Sequence, residues 1–122
     1  SLNEKEVSQM AVVVASTSAL SVAANAKSAD QVSGQYQYVG KGKFTLIGRA
    51  SATGLNVTCQ VGGIALVNDQ VIPYTGTAGA IDASAHIVTS QVMPGGRVEL
   101  TFRNTTGAAI TADSVLYFEP MA

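Results

Sequence analysis

Leu55-Asn56-Val57-Thr58-Cys59-Gln60-Val61 alternates apolar and polar residues without a break. Side chains on an extended chain point to opposite sides in turn, so this stretch reads as a β-strand with one face in a core. Gly62-Gly63 follows, a pair suited to a tight hairpin turn that needs positive φ. Ile64 to Val67 is then the return strand. A second stretch, Arg97-Val98-Glu99-Leu100-Thr101-Phe102-Arg103, alternates in the same way, with Val98, Leu100 and Phe102 inward. Pro94-Gly95-Gly96 introduces it and Asn104-Thr105-Thr106-Gly107 closes it as a turn. Ile110 to Phe118 returns and ends at Pro120.

Working outward, Lys43 to Ala50 predicts a strand with Phe44, Leu46, Gly48 and Ala50 on one face. Gln35 to Val39 predicts another, across the turn Gly40-Lys41-Gly42. Ala83 to Val92 is a weaker strand. Val12-Val13-Val14 and Ala19 to Ala23 read as one long strand or two short ones. Val71 to Gly79 reads as a loop with at most a short strand. The total is about eight short strands, and no long helical pattern separates them, which disfavours a parallel α/β sheet. The expected fold is all-β: a single antiparallel β-sandwich, jelly-roll-like, over residues 12–122. Residues 1–11 precede it as a short helix or an extended arm. Ser1-Leu2-Asn3-Glu4 matches a capping box, and Leu2, Val7 and Met10 are its apolar residues.

The composition bounds the function. The 122 residues are one domain by length, and the single cysteine, Cys59, allows no internal disulfide and no thiolate metal cage. Only 12% of residues are charged, and the net charge is −1. That balance gives no electrostatic grip on a polyanion, and there is no Trp and no basic-aromatic cluster, so a nucleic-acid partner is not expected. Charge this low suits a surface covered by neighbours. Val7 to Ala26 is uncharged and long enough to span a bilayer, but Ser8, Gln9, Ser16, Thr17, Ser18, Ser21 and Asn25 break its apolarity. The segment Asn3-Glu4-Lys5-Glu6 is net negative where a secretory signal wants positive charge. The stretch is therefore expected to belong to the fold, with no membrane partner.

Chemistry-bearing residues are sparse. His86 is the only histidine, and on a strand it lies about 13 Å from Asp82, too far to share a metal. Cys59 shares a face with Leu55, Val57 and Val61, so it reads as a core residue with a raised thiol pKa. Gly40-Lys41-Gly42 fails as a dinucleotide fingerprint because Thr45 stands at the third glycine position. The carboxylates Asp30, Asp69, Asp82, Glu99, Asp113 and Glu119 are scattered singly, and a loop Ca²⁺ site involving Asp69 stays open. The sequons Asn56-Val57-Thr58 and Asn104-Thr105-Thr106 are too short to carry weight. No catalytic residues, cofactor or metal are expected. Tyr36 and Tyr38 alternate on one face of the expected strand and Tyr74 sits in a loop, which makes these three the aromatics for a glycan- or receptor-binding alternative.

Leu55-Asn56-Val57-Thr58, Val61-Gly62-Gly63, Val67-Asn68-Asp69 and above all Gly95 to Gly107 resemble small β-rich proteins of tailed bacteriophages. The resemblance runs from about Ser28 to Phe118. It implies a virion component, a capsid decoration or cement protein made in the host cytoplasm and bound on the capsid exterior. Its implied partners are the major capsid protein and further copies of itself, as a trimer. Leu2, Val7 and Met10 are then candidate lattice or oligomer contacts. A small jelly-roll coat subunit is a further alternative, for which the chain is short and lacks a basic arm.

Overall fold

A computed structural model describes residues 12–72 and 87–121 of the chain. These contain β1 (Val12–Val22), β2 (Tyr38–Val39), β3 (Gly42–Ala50), β4 (Leu55–Val61), β5 (Ile64–Val71), β6 (Ile87–Met93), β7 (Gly96–Asn104) and β8 (Ile110–Pro120). They form two four-stranded sheets, β1-β8-β3-β6 and β2-β7-β4-β5. Every paired neighbour is antiparallel. The antiparallel pairs include β1 with β8, β2 with β7, β3 with β6 and β4 with β5, so the chain pairs outermost strand with outermost strand and works inward.

The alternation in sequence becomes the alternation of the sheets. In the second sheet Val57 lies opposite Phe102, Cys59 opposite Leu100 and Val61 opposite Val98. In the first, Phe44 lies opposite Phe118, Leu46 opposite Leu116 and Ala50 opposite Ala112. These inward residues from both sheets join one buried cluster. The rings of Phe44 and Phe118 stand 4.9 Å apart at 40°. Burying each large aliphatic or aromatic side chain contributes about 1.5–3 kcal/mol, so the paired inward rows hold the sheets together.

Residues 12–22 form one long strand, the first of the two readings of that stretch, and it carries two register shifts; at the second, Ala19 takes φ 50° and donates its N–H to Asp113 Oδ1 at 2.7 Å. Two local expectations are corrected. Gln35 to Val39 is not a five-residue strand. Gly34–Tyr36 is a 3₁₀ turn, β2 keeps only Tyr38 and Val39, and so Tyr36 and Tyr38 do not alternate along one strand face. The reason lies in the chain before it. Ala26 O, Ser28 N, Gln31 N and Gln37 O already bond the backbone of β7, at Asn104, Phe102, Leu100 and Val98. The side chains of Ser28 and Asp30 accept the N–H groups of Phe102 and Leu100. An irregular segment thus occupies most of an edge that a longer β2 would take. β5 runs on past Val67 to Val71, because register shifts against β4 let Gln70 and Val71 keep pairing. β6 begins at Ile87 among the described residues; residues 83–86, and the arm expected over residues 1–11, lie outside them.

Gly62 and Gly63 take φ 61° and 81°, as the two-residue hairpin requires. A Cβ on Gly62 would also sit 2.6 Å from Gly95 O, so the hairpin tip and the turn before β7 abut backbone to backbone.

The outer faces of the two sheets differ. On the second sheet the outward pairs are Asn56 with Arg103, Thr58 with Thr101 and Gln60 with Glu99, all polar. On the first sheet Val13 lies opposite Tyr117, Ile47 opposite Val115 and Ile87 opposite Ile47. Ile47 and Arg49 occupy outward register positions, yet each is only 3% exposed. Arg49 Nη1 lies 3.8 Å from Oδ2 of Asp113, its register partner.

Candidate functional site

The polar outer face of the second sheet holds a half-open hollow of about 370 Å³. That volume falls within the usual range of small-ligand sites. Its floor is Thr58 and Thr101, directly opposite each other on β4 and β7, with Gln60 next along β4. These three are the polar members of two alternating strands, so the pattern that turns Val57, Cys59 and Leu100 inward also turns them out. Asn68 and Asp69 form the wall on the β5 side. The register shifts between β4 and β5 bring them there, and Asp69 takes φ 53°, an uncommon conformation for a residue with a Cβ. Bulges of this kind re-aim side chains and cluster at functional sites. Asp69 N–H donates to Thr58 Oγ1 at 2.9 Å, which ties wall to floor.

Arg103 closes one end. Its Nε and Nη2 donate to the two oxygens of Asp69 at 3.0 and 2.6 Å, a bidentate fork that fixes both side chains. The hydrogen bonds from Arg103 hold the Asp69 carboxyl below the usual carboxylate range, against a smaller opposing effect of burial, with the Arg103 charge, Asn56 and Lys27 adding to the depression. Asp69 raises the Arg103 pKa in turn. Lys27 completes the rim, placed by an isolated bridge between its backbone and that of Arg103. The lining thus carries two cations against one carboxylate, and Lys27 has no ion-pair partner among the described residues.

The residues singled out from sequence stand elsewhere. Tyr38 is 68% exposed, opposite Arg97 at the far end of β7, about 13 Å along the strand from Thr101. Tyr36 is half-buried against the core, and neither tyrosine lines the hollow. Leu2, Val7, Met10, Tyr74, Asp82 and His86 lie outside the described residues. Cys59 is fully buried, and burial together with the charge of Asp30 pushes its thiol up to about 12. Among the described residues no group of three or more His, Cys, Asp or Glu is placed to hold a metal ion, and no helix is long and apolar enough to cross a membrane.

Asn104 belongs to structure. It is 1% exposed; its amide nitrogen donates to Val22 O and Ala108 O, and its oxygen accepts from Thr106 N and Oγ1. The second sequon is therefore sealed inside a turn. Of the hollow, sequence reading had singled out only Asp69, as a lone carboxylate. The signal for Thr58, Gln60, Thr101 and Arg103 was the polar half of the two alternating stretches, and it becomes a site only once β4 is known to lie beside β7; Lys27 and Asn68 lie in neither stretch. No protein-family model, no curated protein and no solved structure matches this chain.

Proposed function

We propose that the eight strands are wound as a jelly roll and that the chain is a structural protein of a phage virion. In this reading it is a decoration or cement protein on the capsid exterior, binding neighbouring copies of the major capsid protein and associating with itself as a trimer. It acts by binding, not by catalysis. The observation that carries the reading is the nested pairing of β1 with β8, β2 with β7, β3 with β6 and β4 with β5 across two four-stranded sheets. Eight-stranded double Greek keys are the fold of many viral capsid and lectin domains.

Two further observations support it. With 12% charged residues, the chain has little charge to keep copies apart. The first sheet also turns Val13, Ile87 and Val92 outward, each about half exposed, on the face where Tyr117 and Val115 stand. Exposed apolar residues on the outer face of one sheet suit a protein contact. The second reading, a glycan- or receptor-binding module, is favoured by the opposite face, where exposed Tyr38 and the polar hollow share one outer surface.

The test is to purify particles by density gradient from the source of this sequence, identify their proteins by peptide mass spectrometry, and image them by electron microscopy. The chain is expected in stoichiometric amount as trimeric density over capsomer junctions. Particles that lack it would overturn the proposal. Sedimentation of the isolated protein reads the self-association independently.

A further inference from the structure

We propose that the hollow between Lys27, Asp69 and Thr101 binds an acidic carbohydrate, a polyhydroxyl chain bearing carboxylate or sulfate groups. This goes beyond the virion reading and does not depend on it. Every lining residue is a polar type, and none is aliphatic or aromatic. A purely apolar ligand would leave their hydrogen-bonding groups unmet, and a nucleobase has no ring on which to stack. What the hollow offers is closely spaced hydrogen-bonding groups: two threonine hydroxyls, two carboxamides, a carboxylate and two cationic heads. Hydroxyls and carboxamides both donate and accept, which matches the hydroxyls of a sugar ring. Thr58 Oγ1 accepts the Asp69 N–H and keeps its own proton to donate outward.

Donors outnumber acceptors, and this selects an acidic ligand. The Arg103 fork occupies one acceptor site on each oxygen of the Asp69 carboxylate, which reduces what this acceptor can offer a ligand. Lys27, with three donors and no ion-pair partner among the described residues, stands at the rim where an anionic substituent would meet it. The site is partly preorganised: floor and walls sit on paired strands and the fork orients Arg103 and Asp69 towards each other, while Gln60, Asn68 and Lys27 have rotamer freedom to lose on binding.

The test titrates the full chain, by calorimetry and by amide chemical-shift mapping, with four probes. These are oligogalacturonate as the carboxylated sugar, a sulfated galactan oligosaccharide, an uncharged galactan oligosaccharide, and inorganic sulfate alone. Saturable binding is expected for at least one acidic oligosaccharide, at least fivefold tighter than for the uncharged one and for sulfate. The shifts are expected at Thr58, Gln60 and Thr101. Lys27→Ala should weaken that binding about fivefold or more and Lys27→Arg should keep it. Thr101→Val, which removes one hydroxyl at nearly constant shape, should weaken it severalfold, with melting temperatures checked to show that each variant is folded. No saturable binding of either acidic oligosaccharide overturns the proposal. So does equal binding of the uncharged probe or of sulfate alone, an unchanged affinity in folded Lys27→Ala, or shifts confined to another face.

Discussion

Replacing Asn104 by alanine removes four hydrogen bonds from a buried turn in one step: two donated to Val22 O and Ala108 O, two accepted from Thr106. A typical bond contributes about 1 kcal/mol net, and an unmet buried group costs about 1–3 kcal/mol. Ala108 O retains the Thr106 hydroxyl as a partner, and Thr106 is only half-buried, so water recovers part of the loss. The expected destabilisation is about 3 kcal/mol, a large part of the stability of a domain this size. Urea denaturation reads it directly: with a slope of about 1.5 kcal/mol/M the midpoint falls by about 2 M. Asn104→Asp sharpens the test. At pH 7 it keeps both acceptor contacts but aims a carboxylate oxygen at two carbonyl oxygens, so the carboxyl pKa in the folded state rises above its unfolded value near 3.9. A raised folded pKa means that stability is fully present below about pH 4 and is lost as pH rises through the folded value. Asn104→Asp should therefore be more stable at pH 3.5 relative to wild type than at pH 7. A midpoint loss in Asn104→Ala under about 0.5 M, or an Asn104→Asp offset that ignores pH, would refute the role given to this turn.

Three other expectations follow from the same geometry. The Cys59 pKa of about 12, against 9.0 for a free thiol, leaves about a thousandfold less thiolate, so iodoacetamide at pH 8.5 should modify the folded protein only as fast as it opens and the urea-unfolded chain at once. Gly62→Ala forces a Cβ into a positive-φ turn and against Gly95 O, so a loss of about 1–3 kcal/mol is expected, read as a melting temperature lower by about 5–10 °C; an unchanged melting curve would mean that the two turns do not abut. Asp30→Ala strips the acceptor from the N–H groups of Val32 and Leu100 and should cost about 1–2 kcal/mol, with faster hydrogen exchange at Leu100, while Asp30→Asn should recover most of it.

What could be read from the sequence was whatever repeats at short range. The period-2 stretches at 55–61 and 97–103 returned as β4 and β7 with every apolar residue inward, and Gly62-Gly63 returned as the hairpin between β4 and β5. Residues 35–37 were misjudged as strand because the edge beside β7 is taken by the segment before them, whose structure comes from a distant partner. Ser28 and Asp30 are ordinary surface residues until β7 arrives beside them and uses their oxygens. The length of β5 was hidden for a related reason: a bulge breaks the alternation that would have announced the strand, and it is that bulge which sets Asp69 against Arg103. Burial at Ile47 and Arg49 has no local signal either, since both stand at positions that alternation assigns to the outside. The hollow gathers residues 27, 58, 60, 68, 69, 101 and 103, and no spacing rule joins positions so far apart.

The pairing of β1 with β8 sets a timetable for biosynthesis. Val12 finds its partner at Phe118, so β1 must wait for β8 to be translated. At about 5–20 residues per second, the intervening chain takes about 5–20 s to make, and through that time β1 has no sheet to join. Long-range closure of this kind is also slow in itself. A waiting strand of plain valine and isoleucine would invite pairing with another nascent copy. β1 instead carries Ser16, Thr17, Ser18 and Ser21 and is interrupted twice in its register, features that make it a poorer template for a stranger. The chain can then be made with this exposed intermediate less prone to pair with another copy.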